Sequence, residues 1–367
     1  MYNKKIEKMP RIYISAAMRG GSTLISNILN AHSKIQILEN LHFQRFLFRN
    51  GIMPNRKEIE FRLKEIGLRL KVRHNFKINE KKIIDKIKRI KKLNFKDIYD
   101  QIILEQLNIN PKLKIVGEDS ALNWRFIETF CKFYKNAKVI HLIRDPRSIY
   151  ASWKNITYEN LDRWGCLINC MDSMNYAIRL KKKLNKKNYI ILKFEDVLNN
   201  PTKYSKILCK FLNIKFEKSM IEPKKWNKLF KGKFASLGWS SIENKKIDDF
   251  ILNRIESWKN KINQKEVQII EYFAKKYLNF FNYKISIRKV NKKIIKEFLK
   301  NIKKSRYLKK IFNDFIKYNK TTDELKKDPT NFRNWGNGKK NKEKFINSKY
   351  GKYYIKQMKK INLSLKK

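Results

Sequence analysis

Arg11-Ile12-Tyr13-Ile14-Ser15-Ala16-Ala17-Met18-Arg19-Gly20-Gly21-Ser22-Thr23-Leu24 is the stretch whose reading decides the fold. Arg11 to Ser15 reads as a short buried strand and Ala16 to Gly21 as a loop of small residues. Ser22 onward reads as a helix with Leu24, Ile25, Ile28 and Leu29 on its inner face. A strand, a glycine-bearing loop and a helix in this order form an anion cradle. Backbone N–H groups of the loop and helix start converge on one point, and the helix dipole favours negative charge there. Gly20 and Gly21 permit close backbone approach, Ser22 and Thr23 add hydroxyl donors, and Arg19 adds a planar cationic fork. The loop is not a Walker A motif. Gly21-Ser22-Thr23 has no lysine, and the cation precedes the glycines. A glycine pair between strand and helix is also a plain tight turn, so the rest of the chain must decide.

Outward from this stretch, Lys34 to Leu38 reads as a brief extended run, followed by Glu39-Asn40-Leu41-His42-Phe43. Residues 51–110 have a charged, helical pattern and read as a cap over one side of a sheet. Leu113 to Val116 reads as a second strand, ending in Gly117-Glu118-Asp119-Ser120. Lys138 to Ile143 is the clearest strand, apolar enough for a parallel strand covered on both faces. It runs into Arg144-Asp145-Pro146-Arg147, where Asp145 suits a helix N-cap and Pro146 the first helical position. Ser152 follows about two turns along that helix, a spacing that lets it face the same cleft as Arg144. Tyr189 to Phe194 reads as a further strand, closed by Glu195-Asp196, and Asn200-Pro201 opens another apolar-faced helix. Strands alternating with helices predict an α/β, P-loop-like doubly wound parallel sheet flanked by helices. Ligands of such sheets bind beyond the carboxyl ends of the strands, where Arg19, Asp119, Arg144 and Glu195 all fall. From about residue 286 the chain becomes a lysine-rich amphipathic helical region. Val290, Ile294, Ile295, Phe298 and Ile302 form its apolar stripe. Residues 1–285 are therefore expected to form the α/β domain, with 51–110 as helical cap, and 286–367 a basic C-terminal extension.

The chain carries 87 basic against 33 acidic residues, a formal charge of +54. Lys, Asn, Ile, Phe and Tyr are abundant together, a bias suited to an AT-rich genome. Basicity is therefore discounted as evidence for a specific nucleic-acid partner, although the field attracts anions. The C-terminal stripe is expected to dock on the domain, with peripheral contact to an anionic membrane as the alternative. Cys131, Cys166, Cys170 and Cys209 lack disulfide or metal spacing and read as buried thiols. Four scattered histidines argue against a zinc site. The absence of a signal run or an apolar membrane span points to a cytoplasmic setting.

Three blocks in order resemble the sulfotransferases that use 3′-phosphoadenosine-5′-phosphosulfate (PAPS). Ala17 to Leu24 resembles the phosphosulfate loop, usually Pro-Arg-Ser-Gly-Thr-Thr-Leu, with Met18 and Gly20 replacing the proline and first serine. Val139 to Ser152 resembles the 3′-phosphate-binding strand and helix. Leu192 to Asp196, followed by Asn200-Pro201, resembles the family's Tyr-Glu-Asp-Leu element with Phe194 at the aromatic position. A weaker match runs from Ser240 to Asn260. The resemblance spans about residues 10 to 283, and the loop style resembles the carbohydrate and tyrosyl-protein branches.

The resemblance implies transfer of a sulfuryl group to a hydroxyl or amine, without a required metal. Arg19, Gly20, Gly21, Ser22 and Thr23 would hold the 5′-phosphosulfate, and Arg144 and Ser152 the 3′-phosphate. Phe194 would line the adenine pocket, and Ser241 would add a 3′-phosphate contact. The implied base is a carboxylate. Relatives commonly carry a glutamate where an ungapped alignment places Asn40, which makes Glu39 the first candidate base and His42 the next. Asp119 stands where relatives have a lysine and is an alternative base. Glu195-Asp196 reads as structural, holding a loop by accepting backbone N–H bonds. His141, Trp153 and Trp164 read as core. The expected acceptor is a small-molecule or glycan hydroxyl. Two other functions compete: a small-molecule kinase, and a non-catalytic binder of RNA or anionic lipid with a degenerate nucleotide site.

Overall fold

The computed structural model describes residues 9–39, 55–74, 78–91, 93–109, 112–120, 123–153, 163–224, 226, 250, 252, 255–318 and 356. In chain order the elements are β1 (Arg11–Ala16), α1 (Ser22–Asn30), β2 (Ile35–Glu39), α2 (Arg56–His74), α3 (Glu80–Lys88) and α4 (Phe95–Ile109). Then follow β3 (Ile115–Asp119), α5 (Ile127–Phe133), β4 (Ala137–Ile143), α6 (Pro146–Trp153), α7 (Arg163–Lys183) and β5 (Tyr189–Lys193). The remaining described helices are α8 (Phe194–Asn199), α9 (Pro201–Leu212), α10 (Gln264–Phe280), α11 (Lys292–Lys303) and α12 (Arg306–Tyr318).

The five strands form one sheet in the order β2-β3-β1-β4-β5, every pairing parallel. From β1 the chain builds β2 and β3 on one side, then crosses to β4 and β5 on the other. The order therefore reverses between β1 and β4, which opens a crevice at their carboxyl ends. Side-chain alternation explains why both faces must be covered. Ile12, Ile14 and Ala16 of β1 and Ile140 and Leu142 of β4 pack with Ile25, Ile28 and Leu29 of α1 and Leu208 and Leu212 of α9. Tyr13 and Val139 point the other way, into a core with Ile59, Leu63, Ile83 and Ile98 of α2, α3 and α4. Residues 51–110, where described, thus pack as helices over that face.

Two strand ends differ from the expectation. The strand predicted over Leu113 to Val116 lies at Ile115–Asp119. Gly117, Glu118 and Asp119 favour strands little, but pairing with β1 on one side and β2 on the other holds them extended. A Cβ on Gly117 would lie 2.2 Å from the Ile12 carbonyl oxygen, so glycine is required for this close approach. At the other edge β5 ends at Lys193, the partner of Ile143, and Phe194 begins α8. Beyond Ile143 the partner strand turns away at Arg144, which leaves Phe194 without a ladder to join.

The apolar stripe of the C-terminal region faces inward. Ile295, Phe298 and Ile302 of α11 and Leu308, Ile311, Phe312 and Phe315 of α12 share a core with Leu167, Met171 and Met174 of α7. Residues after 318, apart from 356, lie outside those described. Among the described residues the four cysteines form no disulfide. Among the described residues no helix is long and apolar enough to cross a membrane, and no His, Cys, Asp and Glu group could hold a metal.

Candidate active site

The loop after β1 folds on itself before α1 begins. The Gly20 N–H donates to the Ala17 carbonyl at 2.9 Å. Arg19 and Gly21 both have left-handed backbone, with φ of 64° and 94°. For Gly21 two constraints coincide, because a Cβ there would also lie 2.1 Å from Phe194 Cδ2. Helix α1 opens with no side-chain cap hydrogen bond at Gly21 and no acidic residue in its first turn. Ser22 is buried and Thr23 half-buried beside this opening. A helix start of this kind favours an anion.

The second half of the site comes from the end of β4. Asp145 caps α6, its Oδ1 accepting the Arg147 backbone N–H at 2.8 Å. The two arginines of the Arg144-Asp145-Pro146-Arg147 run then separate in role. Arg147 is buried within a charged network. Its Nη2 donates to Asp145 Oδ2 at 2.7 Å, its Nη1 donates to Glu271 Oε1 at 2.5 Å, and its guanidinium lies 4.2 Å from the Trp258 ring centroid. These bonds hold its proton more firmly than usual, against the opposing effect of burial. Arg144 instead turns toward the β1 loop, donating from Nη1 to the Arg19 carbonyl at 2.9 Å.

The two halves meet at a second point. Arg19 Nε donates to Ser152 Oγ at 3.0 Å. The serine two turns along α6 therefore joins the loop arginine, while Arg144 joins the same residue's backbone. Phe194 completes the floor. Its ring centroid lies 4.2 Å from the Arg144 guanidinium carbon, and its edge fills the space that a Gly21 side chain would need. Arg19, Gly20, Gly21, Ser152, Arg144 and Phe194 are thus one cluster at the β1/β4 crevice.

The candidate bases are placed differently. Asp119 is buried at the end of β3, where its Oδ2 accepts a hydrogen bond from Ser26 Oγ of α1 at 3.3 Å. Glu39 is the last residue of β2 and the register partner of Asp119. The Glu39 side chain, His42 and Ser241 lie outside the described residues. His141 is a core residue. Nδ1 lies 2.7 Å from the Tyr189 hydroxyl and Nε2 lies 2.8 Å from Ser173 Oγ, and burial pushes its pKa down to about 3.

Glu195 holds a loop through a backbone N–H, accepting from Asp145 N at 2.9 Å. Its second oxygen accepts from the Tyr283 hydroxyl at 2.8 Å. Sequence reading did not single out Tyr283 or Glu271, which reach this region from 88 and 124 residues away. The one available signal was their place on an apolar-patterned helix and its exit, too common to select them.

The sequence model of the sulfotransferase family matches residues 10–218, more than half of the chain, and the chain belongs to that family. Among solved structures it is similar to the sulfotransferase domain of the Synechococcus PCC 7002 olefin synthase. That match has 17% identity and a TM-score of 0.55, covering 75% of this chain and 95% of that one. It is also similar to the sulfotransferase domain of the curacin biosynthetic pathway, at 18% identity and TM-score 0.52, covering 75% and 98%. At these identities the likeness is one of fold. No curated protein matches the chain.

Proposed function

We propose that this sulfotransferase takes its sulfuryl group from PAPS and delivers it to a hydroxyl or amine of a small-molecule or glycan acceptor. The observation that carries this reading is the double link between the two halves of the cluster, Arg19 Nε to Ser152 and Arg144 Nη1 to the Arg19 carbonyl. A donor with phosphates at two ends needs cations held at a fixed separation, and these bonds fix one. The residues fit such a ligand. The helix start carries no acidic residue, Gly21 makes room for the Phe194 ring that lies beneath Arg144, and the guanidiniums of Arg19 and Arg144 follow β1 and β4.

PAPS, when bound, supplies the sulfuryl group and a phosphate that departs with negative charge. Arg19 and the start of α1 would neutralise that charge through fixed donors, which lowers the barrier more than donors that must first reorient. Arg144 and Ser152 would grip the 3′-phosphate, Arg144 offering a planar fork that Lys cannot copy. The acceptor proton needs a base at the neighbouring strand ends. Glu39, the last residue of β2, and then His42 are the leading candidates by sequence, with Asp119 as alternative. Four cysteines with no disulfide among them suit work in a reducing, cytoplasmic setting. A carbohydrate-type hydroxyl is the proposed acceptor, on the resemblance of the loop style to the carbohydrate and tyrosyl-protein branches.

Calorimetric titration with 3′-phosphoadenosine-5′-phosphate (PAP) and with AMP tests the donor site. Wild type is expected to bind PAP at micromolar or tighter affinity and AMP far more weakly. Arg144→Ala is expected to lose most of that difference, about 2 kcal/mol or more for a charged hydrogen-bonded contact. Equal, weak binding of both nucleotides by wild type would remove the reading.

A further inference from the structure

The turn that carries Arg144 is gripped from two sides by the junction of β5 and α8. Phe194 lays its ring beneath the Arg144 guanidinium, and the next residue, Glu195, accepts the N–H of the peptide that follows Arg144. Glu195 is itself buried and held by the Tyr283 hydroxyl. The Lys193 ammonium covers the Tyr283 ring at 4.2 Å from its centroid. Tyr283 belongs to the segment leaving α10, and that segment is anchored in turn. Ser286 N and Oγ and Ile287 N donate to the Glu271 carboxylate at 3.0, 2.6 and 2.8 Å. Glu271 is the carboxylate that also receives Arg147. Residues 271–287 therefore hold both ends of the Arg144–Arg147 turn, although they lie beyond the 10–218 stretch matched by the family.

A buried carboxylate beside an anion site opposes the anion by Coulomb repulsion. Geometry must therefore account for Glu195, and what it does geometrically is fix the Asp145 peptide. We propose that Glu195 and Tyr283 are positioning residues that aim Arg144, so that recognition of the 3′-phosphate depends on the segment after α10. This rests on the donor site proposed above. Loss of the brace leaves Arg144 its contacts with the Arg19 carbonyl and the Phe194 ring but releases the peptide that sets its aim. The damage should fall on the ligand group Arg144 meets and spare the rest of the nucleotide.

The full-length chain serves for the test, with PAP and AMP titrated into wild type, Glu195→Ala, Glu195→Gln and Tyr283→Phe, and a thermal melt of each. The wild-type preference for PAP is measured first, because its absence sinks the donor site itself. Given that preference, Glu195→Ala is expected to weaken PAP by about tenfold and AMP by less than about twofold. Glu195→Gln keeps an oxygen for the Asp145 N–H and is expected to retain PAP affinity. Tyr283→Phe removes one hydroxyl and is expected to weaken PAP by about threefold to fivefold. If PAP and AMP weaken together, or melting falls while the preference stays, the pair is a structural brace alone and the proposal is overturned. Should Glu195→Ala fail to fold, Tyr283→Phe decides: an unchanged preference refutes the relay.

Discussion

Gly21 is where backbone and packing demands meet most closely. Its φ of 94° disfavours any side chain, and a Cβ would strike the Phe194 ring. Gly21→Ala is expected to cost about 2–4 kcal/mol from strain and overpacking combined. Weaker PAP binding should follow, since displacing the ring moves the support of Arg144. Adding Phe194→Ala relieves the clash but not the φ strain, so melting temperature should recover in part and PAP affinity should not. Full recovery of both would mean that the ring has no part in holding Arg144. At this scale the sequence was partly legible. Asp145 as cap and Pro146 at the first helical position follow from local chemistry. The fate of Arg147 does not, because its partner Glu271 is distant along the chain and any of the many lysines and arginines offers the same pattern.

At the level of elements, β4 was the strand most easily read, an apolar run with one histidine inside it. That histidine has a consequence for pH. The unfolded imidazole gains a proton near the ordinary value of 6.5, while the buried one stays neutral down to about 3. Below 6.5 the unfolded state therefore binds the extra proton. The contribution to stability is complete above that pH and is lost as pH falls. Between pH 7 and 5 the loss should be about 2 kcal/mol, and His141→Gln should remove that part of the slope. Urea unfolding of both proteins at the two pH values checks this; parallel losses would show that His141 is not the group responsible. β3 was read less well, with its carboxyl end placed too early. Propensity is local, whereas Gly117, Glu118 and Asp119 are extended because strands on both sides pair with them. Candidate bases at strand ends inherit that difficulty. Asp119 was found as a strand-end carboxylate, but its bond to Ser26 of α1 depends on how helix and sheet pack.

Over the whole molecule, charge and fold make separable claims on a nucleotide. The formal charge of +54 creates a diffuse field that draws in any anion. The Arg144 contact is different in kind, since the side chain is 7% exposed and fixed by the Arg19 carbonyl and the Phe194 ring. Salt distinguishes the two. The screening length falls from about 10 Å at 0.1 M to about 3 Å at 1 M, while partly buried pairs are screened much less. Raising sodium chloride from about 0.05 to 0.5 M should therefore weaken PAP and AMP together by the diffuse term, roughly tenfold or more for multiply charged ligands. PAP carries the extra phosphate and should lose somewhat more. A clear preference for PAP should nevertheless survive in wild type at the higher salt, whereas Arg144→Ala should keep only the small charge-driven preference at low salt and lose it at the higher salt. If the wild-type preference instead decays toward unity as salt rises, PAP is favoured for its charge alone. The chain would then behave as a general polyanion binder on a sulfotransferase fold, and the linked arginines at the β1/β4 crevice would have to be explained by folding rather than by a donor.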